Sequence, residues 1–189
     1  MSLSSPIDQP ATLLTASSTA NSAVSSLSAQ GMDPKDLRRA FAQFGTGVTV
    51  VTAKAQDGLK VGVTANSFNT VSLSPPIVLW SLSRNSPSLE AYRSAGHFAV
   101  NILSLTQIEL SRRFSRPSAD RFEGLNITEG HQGAPLLEQC SATLECVTLS
   151  EQTVGDHVLF LGQVERYHYA SKAPLLFFNG QYMQSADLP

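Results

Sequence analysis

Four short stretches of this chain combine small, hydroxyl and amide side chains in a way that suits a flat, phosphorylated small molecule. In Gly62-Val63-Thr64-Ala65-Asn66-Ser67-Phe68 a β-prone run passes into Thr64, Ala65, Asn66 and Ser67. Small residues let a ring approach the backbone, while hydroxyl and amide groups offer neutral hydrogen bonds to a phosphate or to ring carbonyl and nitrogen edges. Ser81, Ser83 and Ser86 stand between an apolar run and the helix that Pro87 should begin. Unpaired backbone N–H groups and the positive end of the helix dipole favour an anion there. Asn101-Ile102-Leu103 ends a further strand and offers backbone and apolar side chains to the edge of a ring. Gly155-Asp156-His157 precedes a strand and puts a histidine at the mouth of a sheet. Histidine is the side chain most easily poised to give a hydrogen bond or a proton near neutral pH.

Other chemistries lack their residues. Gly45-Thr46-Gly47 starts like a dinucleotide-binding loop but continues into Val48-Thr49-Val50, a strand, where Gly-x-Gly-x-x-Gly must open a helix. The sequence has no Gly-Lys-Ser/Thr phosphate loop and no Gly-x-Ser-x-Gly nucleophile elbow. Its histidines, His97, His131, His157 and His168, never recur at the i,i+4 spacing of a helical zinc site. Metal-dependent and hydrolytic chemistry therefore recede, and no metal is expected.

The elements that must hold these stretches are mostly strands. Asp33 is a good N-cap, Pro34 suits a first helical turn, and Leu37, Ala40, Phe41 and Phe44 recur at helical spacing before Gly45. Beyond this short amphipathic helix, Gly47–Thr52 and Lys60–Ala65 flank Asp57-Gly58 as a hairpin. Ser74-Pro75-Pro76 breaks the chain before the apolar run Ile77–Leu82. A helix from Pro87 to Gly96, a strand Phe98–Leu103 and a helix Thr106–Phe114 follow, and Ala142–Ser150, His157–His168 and Pro174–Phe178 again favour strands. Hairpin-length gaps and few, short helices predict a mainly β, antiparallel sheet or barrel and argue against a parallel stack.

Composition sets the bounds. The 189 residues are 42% hydrophobic and 15% charged, with a formal net charge of -2. That balance gives no basic footprint for nucleic acid. No apolar run approaches the roughly 20 residues of a membrane-spanning helix. Cys140 and Cys146 are too few for a disulfide framework, and on one continuous strand they would share a face at about 20 Å, beyond bridging distance. A reducing, cytoplasmic setting is expected. Met1 to Gln30 holds nine serines, three threonines, five alanines and the lone charge of Asp8. This composition cannot bury a core and lacks the basic residues of a signal or transit peptide, so a mobile arm over 1–31 is expected ahead of one domain over 32–189.

Taken in order, these segments resemble the short-chain flavin reductases, FMN-binding split β-barrels that serve as reductase components of two-component flavin monooxygenases. The resemblance runs from about Pro34 to Met183. It rests on Phe44-Gly45-Thr46-Gly47-Val48-Thr49-Val50-Val51-Thr52, on Gly62–Phe68 with its Ser-x-x-Pro-Pro sequel, and on Ser81-Leu82-Ser83 through Leu89. Phe98–Leu103, Gly155-Asp156-His157 and Pro174–Tyr182 complete it. The resemblance implies that Thr64, Ala65, Asn66 and Ser67 line the flavin ring and ribityl chain, and that Ser81, Ser83 and Ser86 hold the phosphate. It further implies that Asn101, Ile102 and Leu103 border the ring, that Phe114 covers it, and that Tyr182 lies near the same pocket. His157 would face the nicotinamide of NADH or NADPH. Arg112 and Arg113 would neutralise phosphates or form a solvated face. FMN or FAD is the implied cofactor, a homodimer the implied assembly, and a separate monooxygenase the implied recipient of reduced flavin. Two further readings stay open: a tightly bound FMN that passes electrons to a quinone, ferric complex or corrinoid, and a flavin-binding module without turnover.

Overall fold

Asp33 does cap the first helix: its side chain accepts a hydrogen bond from the Lys35 N–H at 3.0 Å, and Pro34 opens α1 (Pro34–Phe41). The apolar stripe of α1 nonetheless finds no cover among the described residues, with Phe41 69% and Phe44 78% exposed. The computed structural model describes residues 31–118 and 120–185. Apart from Gly31, the expected arm over 1–31 lies outside the described residues.

The short β1 (Thr46–Gly47) leads into β2 (Thr49–Lys54), which pairs with β3 (Lys60–Ala65) through the expected Asp57-Gly58 turn. Gly58 there takes φ 88°, and the Leu59 N–H donates to the Asp57 carboxylate at 2.9 Å. A second hairpin joins β4 (Asn69–Leu73) to β5 (Pro76–Ser83). Next come α2 (Leu89–Ala95), stopped by a left-handed Gly96, then β6 (His97–Ile102) and, after a 3-10 turn, α3 (Ile108–Ser115). The small pair β7 (Ile127–Glu129) and β8 (Pro135–Leu137) precedes a hairpin of two thirteen-residue strands, β9 (Ala142–Val154) and β10 (His157–Tyr169). β11 (Leu176–Phe178) and β12 (Gln181–Met183) close the described chain and pair with β1 as a three-stranded sheet.

The main sheet has the order β3-β2-β6-β9-β10-β5-β4, with every neighbouring pair antiparallel. It curls until its two ends meet. Beyond the last β4 partner, Leu79, the backbone of β5 is met by a side chain: the Ser67 hydroxyl, just past β3, accepts from Ser81 N–H at 3.0 Å and donates to Ser81 C=O at 3.1 Å. The result is a barrel split along one seam, the fold class expected from the sequence.

β2 is buried on both faces because its alternate residues serve two cores. Val51 and Ala53 point into a barrel interior filled by Trp80, Tyr92, Phe98 and Phe160, which α2 closes. There Trp80 stacks on Phe160 with ring centroids 5.0 Å apart, and the Tyr92 hydroxyl donates to Val51 C=O at 2.7 Å. Val48 and Val50 face a second core made with Leu103, Phe114, Leu137 and Leu175, which α3 covers. Cys140 belongs to the second core and Cys146 to the first, both as free thiols.

Candidate functional site

The seam of the barrel opens into a cavity of about 350 Å³, walled by the ends of β3 and β5, the last turn of α3 and the tip of the β9–β10 hairpin. Such a volume lies within the range of small-molecule sites, about 300–1,000 Å³. Nine of the sequence-derived residues meet here: Thr64, Ala65, Asn66, Ser67, Ser81, Ser83, Ser86, Phe114 and His157. They come from four elements separated by up to 93 positions, between Thr64 and His157.

Hydrogen bonds divide the hydroxyl groups by role. Thr64 Oγ1 donates to Ser111 C=O at 2.7 Å, tying β3 to α3. Ser67 is occupied with the Ser81 backbone and closes the seam. These two are fasteners of the wall. Ser83 Oγ accepts from Asn85 N–H and Ser86 Oγ accepts from Ser88 N–H, each at 3.3 Å, so both hydroxyl protons remain available to an acceptor in the cavity. The Asn66 side chain is exposed and makes no hydrogen bond to another described residue, which leaves its amide for a ligand.

His157 stands directly across from Ser83 in the β10–β5 register. It reaches the cavity because the β9–β10 turn is tight, with Gly155 at φ 58° in the first of its two central positions, where only glycine sits without strain. Asp156 Oδ1 accepts from His157 Nδ1 at 2.7 Å, and this bond holds the Asp156 carboxyl below its ordinary pKa. With Nδ1 turned to Asp156, Nε2 is the ring nitrogen left for a ligand.

Phe114 is fully buried and forms the floor. Its ring lies against Gly62, the one residue type that leaves room: a Cβ at 62 would come within 2.5 Å of Phe114 Cε1. Phe122 meets Phe114 edge-on at 5.1 Å.

Four expected residues do not join this group. Asn101 is fully buried, donates through Nδ2 to Val50 C=O at 3.0 Å and to Thr52 Oγ1 at 3.1 Å, and accepts from Leu137 N–H at 2.9 Å. Its amide stitches β2, β6 and β8 together and has nothing left for a ring. Leu103 is fully buried in the second core, and Ile102 packs on the edge of the first. Tyr182 bonds Ser111 Oγ at 2.9 Å, lies under the Arg112 guanidinium at 5.7 Å and packs on the second core, and it is not among the residues that line the cavity. Arg113 donates to the Asp120 and Glu123 carbonyls and Arg112 pairs with Glu109, so the arginine pair fastens a loop and decorates a face.

One residue escaped the sequence reading. Arg121 lines the cavity, anchored through Nη1 to Gly62 C=O, and its Nε is shut off from solvent with no partner among the described residues. A guanidinium held beside two free hydroxyl donors is the donor set of an anion site. Its loop, 116–134, carries charge and glycine without periodicity, so nothing in the local pattern set Arg121 apart from Arg116.

Residues 41–186 match the model of the flavin reductase like domain. A probable flavin reductase of Rhizobium meliloti is 41% identical over 156 residues, 82% of this chain and 50% of its own length. The reductase component of the flavin-dependent trigonelline monooxygenase of Acinetobacter baylyi is 41% identical over 152 residues, 80% of this chain and 49% of that protein. The chain thus spans about half the length of these two relatives. Among solved structures, the NADH:FAD oxidoreductase SgcE6 of Streptomyces globisporus superposes with a TM-score of 0.78 at 36% identity, covering 84% of this chain and 98% of that one. The chain belongs to the flavin reductase like domain family.

Proposed function

We propose that this chain is an NAD(P)H:flavin oxidoreductase that binds FMN or FAD in the seam cavity, reduces it with a nicotinamide nucleotide and passes it to a separate flavin-dependent monooxygenase. The observation that carries the reading is the composition of one cavity: an apolar floor at Phe114, backbone-close small residues at Thr64 and Ala65, and an anion corner of Ser83, Ser86 and Arg121. The flavin fits these residues. The Arg121 guanidinium, which lines the cavity, and the two free hydroxyl protons meet the phosphate, and the Asn66 amide meets a ring edge. When bound, the flavin supplies an acceptor for the two electrons of a nicotinamide hydride, with a proton taken from solvent. The chain's own residues bind, orient and exclude water. His157, at the mouth, holds the nicotinamide over the ring through Nε2, and Asp156 fixes that imidazole.

The activities of these relatives support a nicotinamide nucleotide and a monooxygenase partner. A homodimer gives cover to Val71 and Leu73, 52% and 93% exposed on the edge strand β4. Among the described residues no helix is long and apolar enough to cross a membrane. Two unbridged cysteines fit a cytoplasmic setting, where NAD(P)H is at hand.

Anaerobic stopped-flow absorbance tests the reading. Mixing the protein, excess FMN or FAD and NADH should bleach the flavin band over many turnovers. Bleaching limited to one equivalent would move the flavin from substrate to fixed prosthetic group, and no bleaching with either nicotinamide nucleotide would overturn the activity.

A further inference from the structure

The turn that carries the two free serine hydroxyls also carries an arginine with different neighbours. Ser86 N–H donates to Ser83 C=O at 2.9 Å, closing a tight turn with Arg84 second in it. Ser83 and Ser86 line the seam cavity and Arg84 does not. Arg84 leans instead on the tip of the β9–β10 hairpin: its N–H donates to Asp156 C=O at 3.0 Å and its Nη1 to Gly155 C=O at 3.4 Å. We propose that Arg84 binds the diphosphate of the nicotinamide dinucleotide and so selects phosphorylated hydride donors; the proposal rests on the reading of His157 as the nicotinamide residue.

Three observations carry it, and place is the first. His157 pairs with Ser83, so Arg84, one residue on, stands about 6 Å from it by ordinary strand spacings. A flavin in the cavity and a nicotinamide on His157 leave the ribose and diphosphate of the donor outside the mouth, and Arg84 is a cation on the same hairpin tip as His157. Availability is the second. Arg93 is spent on Glu90 and Glu151, and Arg112 on Glu109, but Arg84 makes no ion pair with a described residue. The neighbouring carboxylate, Asp156, bonds the His157 imidazole at 2.7 Å. One long bond to a carbonyl leaves most of the five guanidinium N–H groups of the exposed Arg84 for a ligand. Chemistry is the third. A planar fork of N–H groups matches the oxygens of a phosphate pair. The flavin phosphate has its own donors in Ser83, Ser86 and Arg121, so the Arg84 guanidinium falls to the second substrate.

Calorimetric titration of the full chain, saturated with FMN, with NAD+ reads the contact without turnover. Arg84→Gln should weaken NAD+ about tenfold, the loss expected for an exposed charge-assisted contact, while FMN affinity and melting temperature hold. In steady-state assays the same variant should raise KM for NADH and for NADPH by the same factor with kcat unchanged. It should leave the rate with N-methyl dihydronicotinamide, which has no phosphate, as it was. Arg84→Lys should restore part of the affinity, because the charge survives without the fork. Arg116→Gln removes the same charge from the α3 wall, between the cavity-lining Ser115 and Pro117, and should change NAD+ affinity by less than about twofold. Equal losses in the Arg84 and Arg116 variants would reduce the effect to the general field of the protein and overturn the proposal. So would a fall in FMN affinity, which gives the guanidinium to the flavin phosphate, or a KM that rises for NADPH alone, which gives it to the additional phosphate of that donor. A slower reaction with the phosphate-free donor would trace the loss to a displaced His157 and count equally against it. Failure of the unaltered protein to reduce flavin with any donor would refute the proposed activity, a separate result, and NAD+ affinity would still decide the role of Arg84.

Discussion

Replacing Gly62 by alanine should loosen the floor of the seam cavity, although residue 62 does not itself line it. The added Cβ would lie 2.5 Å from Phe114 Cε1, 2.7 Å from Cδ1 and 3.2 Å from Phe122 Cζ. Ordinary carbon contacts lie at about 3.5–4.0 Å, so the Phe114 ring must retreat by about 1 Å. It has nowhere to go: Phe114 is fully buried, Phe122 abuts it edge-on, and its helix is tied to β3 through Thr64 and Ser111. Overpacking of this kind costs about 1–3 kcal/mol, which for a chain of this size lowers Tm by about 3–9 °C. Differential scanning fluorimetry measures that drop, and flavin titration should show weaker binding because Phe114 and Arg121, whose anchor is Gly62 C=O, both move. Gly47→Ala is the control, since a Cβ there meets nothing within 4 Å, and its effect should stay within about 0.5 kcal/mol. A Gly62→Ala protein with the melting temperature and flavin affinity of the parent would refute the account of the floor.

Three further outcomes are expected. His157→Ala should slow NADH oxidation on the order of 10- to 100-fold through lost orientation while flavin affinity holds; equal loss of both would remove His157 from the nicotinamide face. His97 is buried, donates through Nδ1 to Ala95 C=O at 2.6 Å and has an unpartnered Nε2, and burial holds its pKa below 6.5. The unfolded chain takes up that proton more readily, so stability is full above the ordinary value and falls as pH drops through it toward the folded pKa. Urea titrations between about pH 5 and 7.5 should show this slope, and His97→Gln should flatten it. Burial pushes the Cys140 thiol up to about 11 and Cys146 up to about 12. An aromatic disulfide reagent at neutral pH should therefore label neither thiol in the native protein and both in denaturant, and prompt native labelling of either would contradict their burial.

Local chemistry was readable where one residue type had one physical use. Asp33 and Pro34 announced α1, Asp57-Gly58 announced the first hairpin, and Gly96 ended α2 as a left-handed cap. Pro87 misled by two residues, since α2 begins at Leu89 with Ser88 as its N-cap, and the pair of prolines at 75 and 76 hid the β4–β5 hairpin behind what looked like a plain break. The order of the strands left no local trace, because it depends on which apolar faces find each other across the chain. The same limit governed the site. Residues at strand ends, such as Asn66, Ser83 and His157, carried a legible signal of type and place. Asn101 carried the same signal, yet its amide is consumed by three strands meeting around it, a fact of packing. Arg121 gave no signal, for its role arises from a loop folding back onto Gly62.

The seam held by Ser67 and Ser81 ties the making of the cavity to the last stages of folding. Its walls come from residues 63 to 157, and the β9–β10 hairpin must form and add to β5 before His157 stands opposite Ser83. Closing such long loops is slow, because entropy is lost before the distant contacts repay it. No early fragment of this chain then owns the seam cavity, and a flavin bound there would act on the fully folded state alone. In a cell where flavin is scarce, the yield of folded protein should follow flavin supply, since a ligand that binds only the finished barrel raises its stability by mass action.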